Sequence, residues 1–212
     1  MLIDGPKNSR ATIILAHGAG APMDTPYMNT IAEGLAADGL RVVRFEFAYM
    51  AKRRIDGKRR GPERMPTLLT RWLDVLDEIG ETQTPLLIGG KSMGGRSAAM
   101  LAAETQHQPR ISAVVCLGYP FHPPGKPEKT RLEPLQAAKR PTLIIQGDRD
   151  PFGTPEDVAR YGLTDPGPIS WIPDGAHSFV PSNRSGQTER AHLVPAVRTV
   201  HYSLRARAAA PR

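Results

Sequence analysis

The sequence predicts an α/β fold, a mostly parallel sheet of about six strands with helices on both faces. Two patterns carry that expectation. Six short apolar runs recur along the chain, at 12–16, 40–47, 85–89, 111–117, 141–146 and 169–172. Between most of them stand segments whose apolar residues recur at helical spacing. With 212 residues the chain can build one substantial domain, expected over 1–206 with a flexible tail at 207–212.

Taken in order, the run at 12–16 leads into a glycine-rich stretch, LAHGAGAP, at 15–22. Met28, Ile31 and Leu35 mark a first helix, and Gly39 stands where a C′ glycine would end it. The run at 40–47 carries Arg41, Arg44 and Glu46, which reads as an edge strand. KRRIDGKRR at 52–60, with six basic residues, reads as a solvated loop. Met65, Leu68, Leu69, Trp72, Leu76 and Ile79 give a 3.6-residue stripe, hence an amphipathic helix. The apolar run at 85–89 passes directly into GKSMGGRSAAM at 90–100. After 111–117 comes a proline-rich loop, YPFHPPGKPEKT, at 119–130, and then a short helix around 132–138. Thr154-Pro155-Glu156-Asp157 combines an N-cap, a Pro at N1 and an acid at N3. Leu193, Val197, Val200 and Leu204 mark a last helix, which Pro195 should kink unless it falls in the first turn.

Composition narrows the class of partner. The net charge is +7, but aromatic residues are only 6% and none interleaves the basic run to stack on bases. Nucleic acid is therefore not expected. No apolar run approaches the ~20 residues of a membrane span, and the first residues lack the pattern of a secretory signal. A single cysteine, Cys116, allows no internal disulfide. The expectation is a cytoplasmic protein that does not engage membranes.

The stretch at 87–100 contains two motifs that overlap. Gly90-Lys91-Ser92 matches the end of a phosphate-binding P-loop, and Gly90-Lys91-Ser92-Met93-Gly94 matches the G-x-S-x-G nucleophile elbow. A P-loop needs a Gly at position 85, which is Pro85, and Leu86 to Gly89 read as a buried strand that cannot wrap a phosphate. The elbow fits the same residues. A strand precedes Ser92, a helix rich in small residues follows it, and glycines stand two before and two after, where the chain must pack without side chains.

A serine nucleophile needs a base and a group that orients the base. In parallel α/β sheets such groups collect past the carboxyl ends of strands. LIIQGDRDPFG places Asp148 and Asp150 after one strand, and SWIPDGAHSF places Asp174 and His177 after the next. His177 is the candidate base. His107, His192 and His201 fall in helical regions, His122 lies in the proline-rich loop where it could line a pocket, and His17 reads as structural. Asp148 and Asp150 both remain candidates for the acid. Two backbone N–H groups should hold an oxyanion: Met93, which follows the nucleophile, and Ala19 of the glycine-rich stretch, with Gly20 next to it. No metal or organic cofactor is expected, since there is one Cys and no H-E-x-x-H cluster.

At this point LAHGAGAPMDTPYM, VVRFEFAYM, GGKSMGGRSAAM, LGYPFHPPGKPE, LIIQGDRDPFG and DGAHSF together resemble the compact bacterial α/β-hydrolases distantly related to dienelactone hydrolases. The same domain type occurs in a eukaryotic testis-expressed protein and in a scaffold subunit of a histone acetyltransferase complex. The resemblance covers residues 11 to 190. It implies a single α/β-hydrolase domain that lacks the first one or two strands of larger members, and a triad of Ser92, Asp150 and His177. Such a protein would be a serine hydrolase of carboxylic-ester type, acting on a small ester, thioester or lactone. The other reading is a non-catalytic interaction module on the same fold. Only residues 118 to 140 separate two successive strands, which is too short for a substantial cap, so an open pocket walled by Gly20, Tyr119, Phe121 and Phe152 is expected. Arg53 and Arg54 start at the carboxyl edge of the sheet and suggest an anionic substrate.

Overall fold

Seven strands form one sheet in the order β1-β3-β2-β4-β5-β6-β7. They are β1 (Leu2–Asp4), β2 (Thr12–Ala16), β3 (Arg41–Phe45), β4 (Leu86–Lys91), β5 (Ile111–Leu117), β6 (Thr142–Gly147) and β7 (Ile169–Ile172). Every pair is parallel except β1 with β3. The computed structural model describes residues 1–104, 110–138, 140–163 and 169–209. The helices are α1 (Pro26–Ala37), α2 (Ala48–Asp56), α3 (Met65–Ile79), α4 (Met93–Glu104), the single turn α5 (Glu133–Gln136), α6 (Pro155–Arg160) and α7 (Glu189–Ala209).

Because β2 is buried on both faces, its side chains alternate between two separate cores. Ile14 and Ala16 join Trp72, Leu101 and Leu135 under α3, α4 and α5. Ile13 and Leu15 join Met28, Ile31, Leu193 and Val197 under α1 and α7. The terminal signals of the helices act as their chemistry requires. Gly39 follows the C-cap Asp38 of α1 at φ +83°, and Thr154 with Asp157 closes a full capping box on α6.

Three expectations need correction. The sheet has a seventh strand, so the run at 40–47 is not an edge. Its Arg44 is almost fully buried, yet the two terminal guanidinium nitrogens donate to Asp4 of β1 at 2.9 Å, to Asn29 Oδ1 at 2.5 Å and to the Met23 carbonyl at 3.0 Å. The basic run at 52–60 is not all loop, since its first half lies on α2, which ends at Gly57 in the left-handed region. There Arg54 pairs with Glu46 and Asp24, each at 2.6 Å, and Arg53 donates to the Gly20 carbonyl at 3.3 Å. Pro195 lies in the second turn of α7. That helix runs on to Ala209, into the segment expected as a tail, and 210–212 lie outside the described residues.

Among the described residues no helix is long and apolar enough to cross a membrane. Between β5 and β6 the described chain forms only the one turn of α5, and no cap stands over the sheet there.

Candidate active site

Ser92 occupies the turn between β4 and α4 with φ +52°, a left-handed conformation that a non-glycine residue adopts at a cost. The surrounding packing imposes it. A Cβ on Gly90 would sit 2.3 Å from the Ala16 carbonyl oxygen, and one on Gly94 would sit 2.5 Å from the same atom. The Ser92 amide donates to the Leu117 carbonyl at 2.9 Å, which fixes the turn against the end of β5. These contacts are with backbone and cannot relax by a rotamer change. Gly94→Ala is therefore expected to cost about 3 kcal/mol or more. For a domain of this size that lowers the melting temperature by roughly 10 °C, which calorimetry would measure.

His177 lies in the loop after β7, and that loop is tightly closed. The Ala176 amide donates to Val180 and the Phe179 amide to Ala176, at 3.0 and 2.8 Å. Asp174, one of the acids considered for the site, instead braces this loop. Its carboxylate accepts from the Ser182 amide and hydroxyl, each at 2.8 Å, and from Arg149 at 2.6 Å. Glycines let the preceding loop touch this one, since a Cβ on Gly147 would meet the Gly175 oxygen at 2.1 Å. The Arg149 amide donates to that same oxygen at 3.0 Å.

The two loops and the elbow converge. His177 Nε2 is 2.9 Å from Ser92 Oγ, and His177 Nδ1 is 2.8 Å from Asp150 Oδ2. Asp150 is completely buried, with Oδ2 also accepting from Gln146 Nε2 at 2.9 Å and Oδ1 from the Phe152 amide at 2.9 Å. Of the two acids left open by the residues alone, Asp150 faces His177. Asp148 gives no side-chain contact to it, and its amide donates to the Ile172 carbonyl. Burial pushes the His177 imidazole below its ordinary value. The bond to Asp150 opposes that shift, and the charge of Lys91 adds to it. An unprotonated Nε2 beside the serine hydroxyl can accept its proton.

The glycine-rich stretch lies beside the serine, as a Cβ on Gly18 would come 3.9 Å from that of Ser92. Its carbonyls are held by side chains. Gly18 accepts from His17 Nδ1 at 2.7 Å, and Ala19 accepts from the Tyr49 hydroxyl at 2.8 Å. His17 is fully buried, and its Nε2 accepts the Phe47 amide at 3.2 Å, so it links β2 to the end of β3 in a structural role. Met93 opens α4, where the first amides lack an intrahelical acceptor.

A cleft of ≈ 610 Å³ contains Ser92 and His177 and is walled by Ala19, Gly20, Tyr27, Met28, Lys91, Phe152 and Val180 among others. The Phe152 ring stacks at 4.2 Å from the His177 ring. Tyr119 and Phe121, expected as walls, are instead wholly buried in the core. The Tyr119 hydroxyl donates to the Arg131 carbonyl, and the Arg131 amide returns a bond to Phe121, so the proline-rich loop folds its aromatics inward. His122 does not reach the cleft. It is buried against Pro123 and Asp157. His192 lies on α7 with its side chain buried, while His107 and the His201 side chain lie outside the described residues. Sequence reasoning missed Tyr27 and Lys91. The second was in plain view inside the elbow motif.

Among the described residues no group of three or more His, Cys, Asp or Glu side chains could hold a metal ion. The fold and this site define the α/β-hydrolase class. The chain belongs to the family described as "Alpha/beta hydrolase domain", whose model matches residues 9–204. Among solved structures it is similar to Est1E from Butyrivibrio proteoclasticus, with a TM-score of 0.70, 18% identity and coverage of 96% of this chain and 93% of that one. It is similar to a dienelactone hydrolase from Anabaena variabilis, with a TM-score of 0.70, 22% identity and coverage of 94% and 88%. A Xanthomonas campestris protein described as a serine hydrolase without lid matches with a TM-score of 0.60, 19% identity and coverage of 93% and 85%.

Proposed function

We propose that this protein is a serine hydrolase that cleaves a small ester, thioester or lactone through an acyl-enzyme. The observation that carries the reading is the unbroken chain from Ser92 Oγ through His177 to the buried Asp150, at 2.9 and 2.8 Å. His177 Nε2 takes the Ser92 proton as the hydroxyl oxygen attacks the carbonyl carbon. The Met93 and Ala19 amides hold the oxyanion. As the intermediate collapses, the imidazolium returns its proton to the leaving oxygen or sulfur. A water molecule, deprotonated in turn by His177, then attacks the acyl carbon, and the imidazolium returns its proton to Ser92 Oγ as the acid departs. A non-catalytic module would have no need of a buried carboxylate aligned on an imidazole in contact with a strained serine. Labelling with a fluorophosphonate followed by peptide mapping tests the reading, and label on any residue other than Ser92 would overturn it.

The cleft also bears on substrate size. It lies open beside the elbow with Pro22, Met28, Phe152 and Val180 on its apolar side, and among the described residues no cap stands above it. A short acyl chain is covered there, while each further CH₂ recovers little of the ~0.8 kcal/mol that full burial gives. On p-nitrophenyl esters, kcat/KM is expected to peak at short acyl chains and to fall with length, without interfacial activation. A peak at about eight carbons or longer would require a deep apolar tunnel.

A further inference from the structure

Lys91 is the last residue of β4 and the neighbour of Ser92. It is 7% exposed. Its Nζ donates to the main-chain oxygen of His177 at 2.5 Å and lies 5.8 Å from the centre of the Tyr27 ring, and its side chain lines the cleft. Among the described residues no carboxylate forms an ion pair with it. A buried cation without a carboxylate partner costs stability that an apolar side chain of the same length would not. The position therefore calls for an explanation other than packing.

We propose that Lys91 is a positioning residue that ties the loop of the base to the elbow of the nucleophile and, by its positive charge, discourages a second proton on the imidazole. The proposal rests on the hydrolase reading above. Four groups face Lys91 or its surroundings: His177 from the loop after β7, Asp150 from the loop after β6, Tyr27 from α1, and Glu189 of α7 at the cleft. Burial pushes the Lys91 ammonium down to about 7, with Asp150 opposing the shift. Below that pH the charge is present, which is where an imidazole would take up its proton. Two neighbouring cations repel, so the lysine charge lowers the proton affinity of His177. Its removal takes that repulsion away while the pull of Asp150 stays, and His177 must then protonate at a higher pH. Above about 7 the neutral amine still has N–H groups to donate to the His177 oxygen, so the mechanical tie outlasts the charge.

The test compares wild type with Lys91→Met, which has neither charge nor donor, and Lys91→Gln, which has a donor but no charge. Two midpoints are measured: the acid limb of kcat/KM against pH on a short p-nitrophenyl ester, and the NMR titration of the His177 ring protons, assigned with His177→Ala. Both midpoints should rise by about one pH unit in both variants. At the alkaline plateau kcat should fall about tenfold in Lys91→Met, with KM changed less than about twofold, since His177 placement bears on the chemical step. Midpoints that stay in place in both folded variants would overturn the proposal, even if stability or kcat fell, because a purely structural lysine would give that result. A wild-type protein that neither turns over esters nor takes the fluorophosphonate would end the hydrolase reading instead. The NMR midpoint would still decide whether Lys91 acts on the imidazole.

Discussion

Ser92→Ala should abolish fluorophosphonate labelling and lower kcat on a short ester by on the order of a million-fold. The size of the effect follows from what is lost. Without Oγ there is no covalent intermediate, and His177 Nε2, now 2.9 Å from nothing nucleophilic, can only activate water from the wrong place. The oxyanion donors and the cleft stay intact, so KM should change little. The substitution keeps the β-carbon that strains the turn and removes only Oγ, so the variant should melt close to wild type. Calorimetry on the same sample therefore separates chemistry from folding. Full turnover in the variant would mean that another nucleophile works in the cleft, and Ser178 is the other serine lining it.

Asp150→Asn should lower kcat by roughly 10⁴-fold at neutral pH. Asp150 accepts three hydrogen bonds: from His177 Nδ1, Gln146 Nε2 and the Phe152 amide. An asparagine can turn its oxygen to only one side. If the oxygen serves Phe152, the amide N–H faces both Gln146 and His177, and the imidazole must put its own proton on Nε2, where it can no longer act as base. Asp148→Asn should leave kcat within a fewfold of wild type, since its side chain does not reach the imidazole. The comparison is made by steady-state kinetics on both variants. A larger loss at position 148 would reverse the assignment of the two acids.

The elbow could be read from the sequence because its constraint is steric. Gly90 and Gly94 are glycines since a carbonyl oxygen stands where a Cβ would be, and that requirement leaves a short-range pattern. The parallel strands were legible for a similar reason: burial on both faces produces unbroken apolar runs. β1 left no such mark. It has three residues, of which Leu2 and Ile3 are exposed, and it is held as much by the Asp4–Arg44 pair as by its own side chains. α2 was hidden by its own charge, because only Tyr49 and Met50 are buried and Lys52, Arg53 and Arg54 follow them. Tyr119 and Phe121 misled because their direction depends on how the proline-rich loop folds back, a matter of the Arg131 bonds far along the chain. Lys91 escaped because its partner is a main-chain oxygen 86 residues away, and such a contact has no sequence signature.

The reactive centre is drawn from loops that follow β2, β4, β6 and β7, with Ser92 and His177 85 positions apart and Asp150 between them, 27 positions before His177. During synthesis these pieces leave the ribosome in order, and the base is the last of them. While β7 is still in the exit tunnel, the serine has no imidazole within reach and Asp150 has lost the group it orients. On the proposed mechanism the nascent chain is thus chemically silent until the far edge of the sheet has been laid down. Parallel pairings of this kind carry a high cost in loop closure and form late. A partly folded chain therefore passes through its most exposed and aggregation-prone stage with its nucleophile unarmed, and recovered turnover would report the completed sheet rather than any fragment of it.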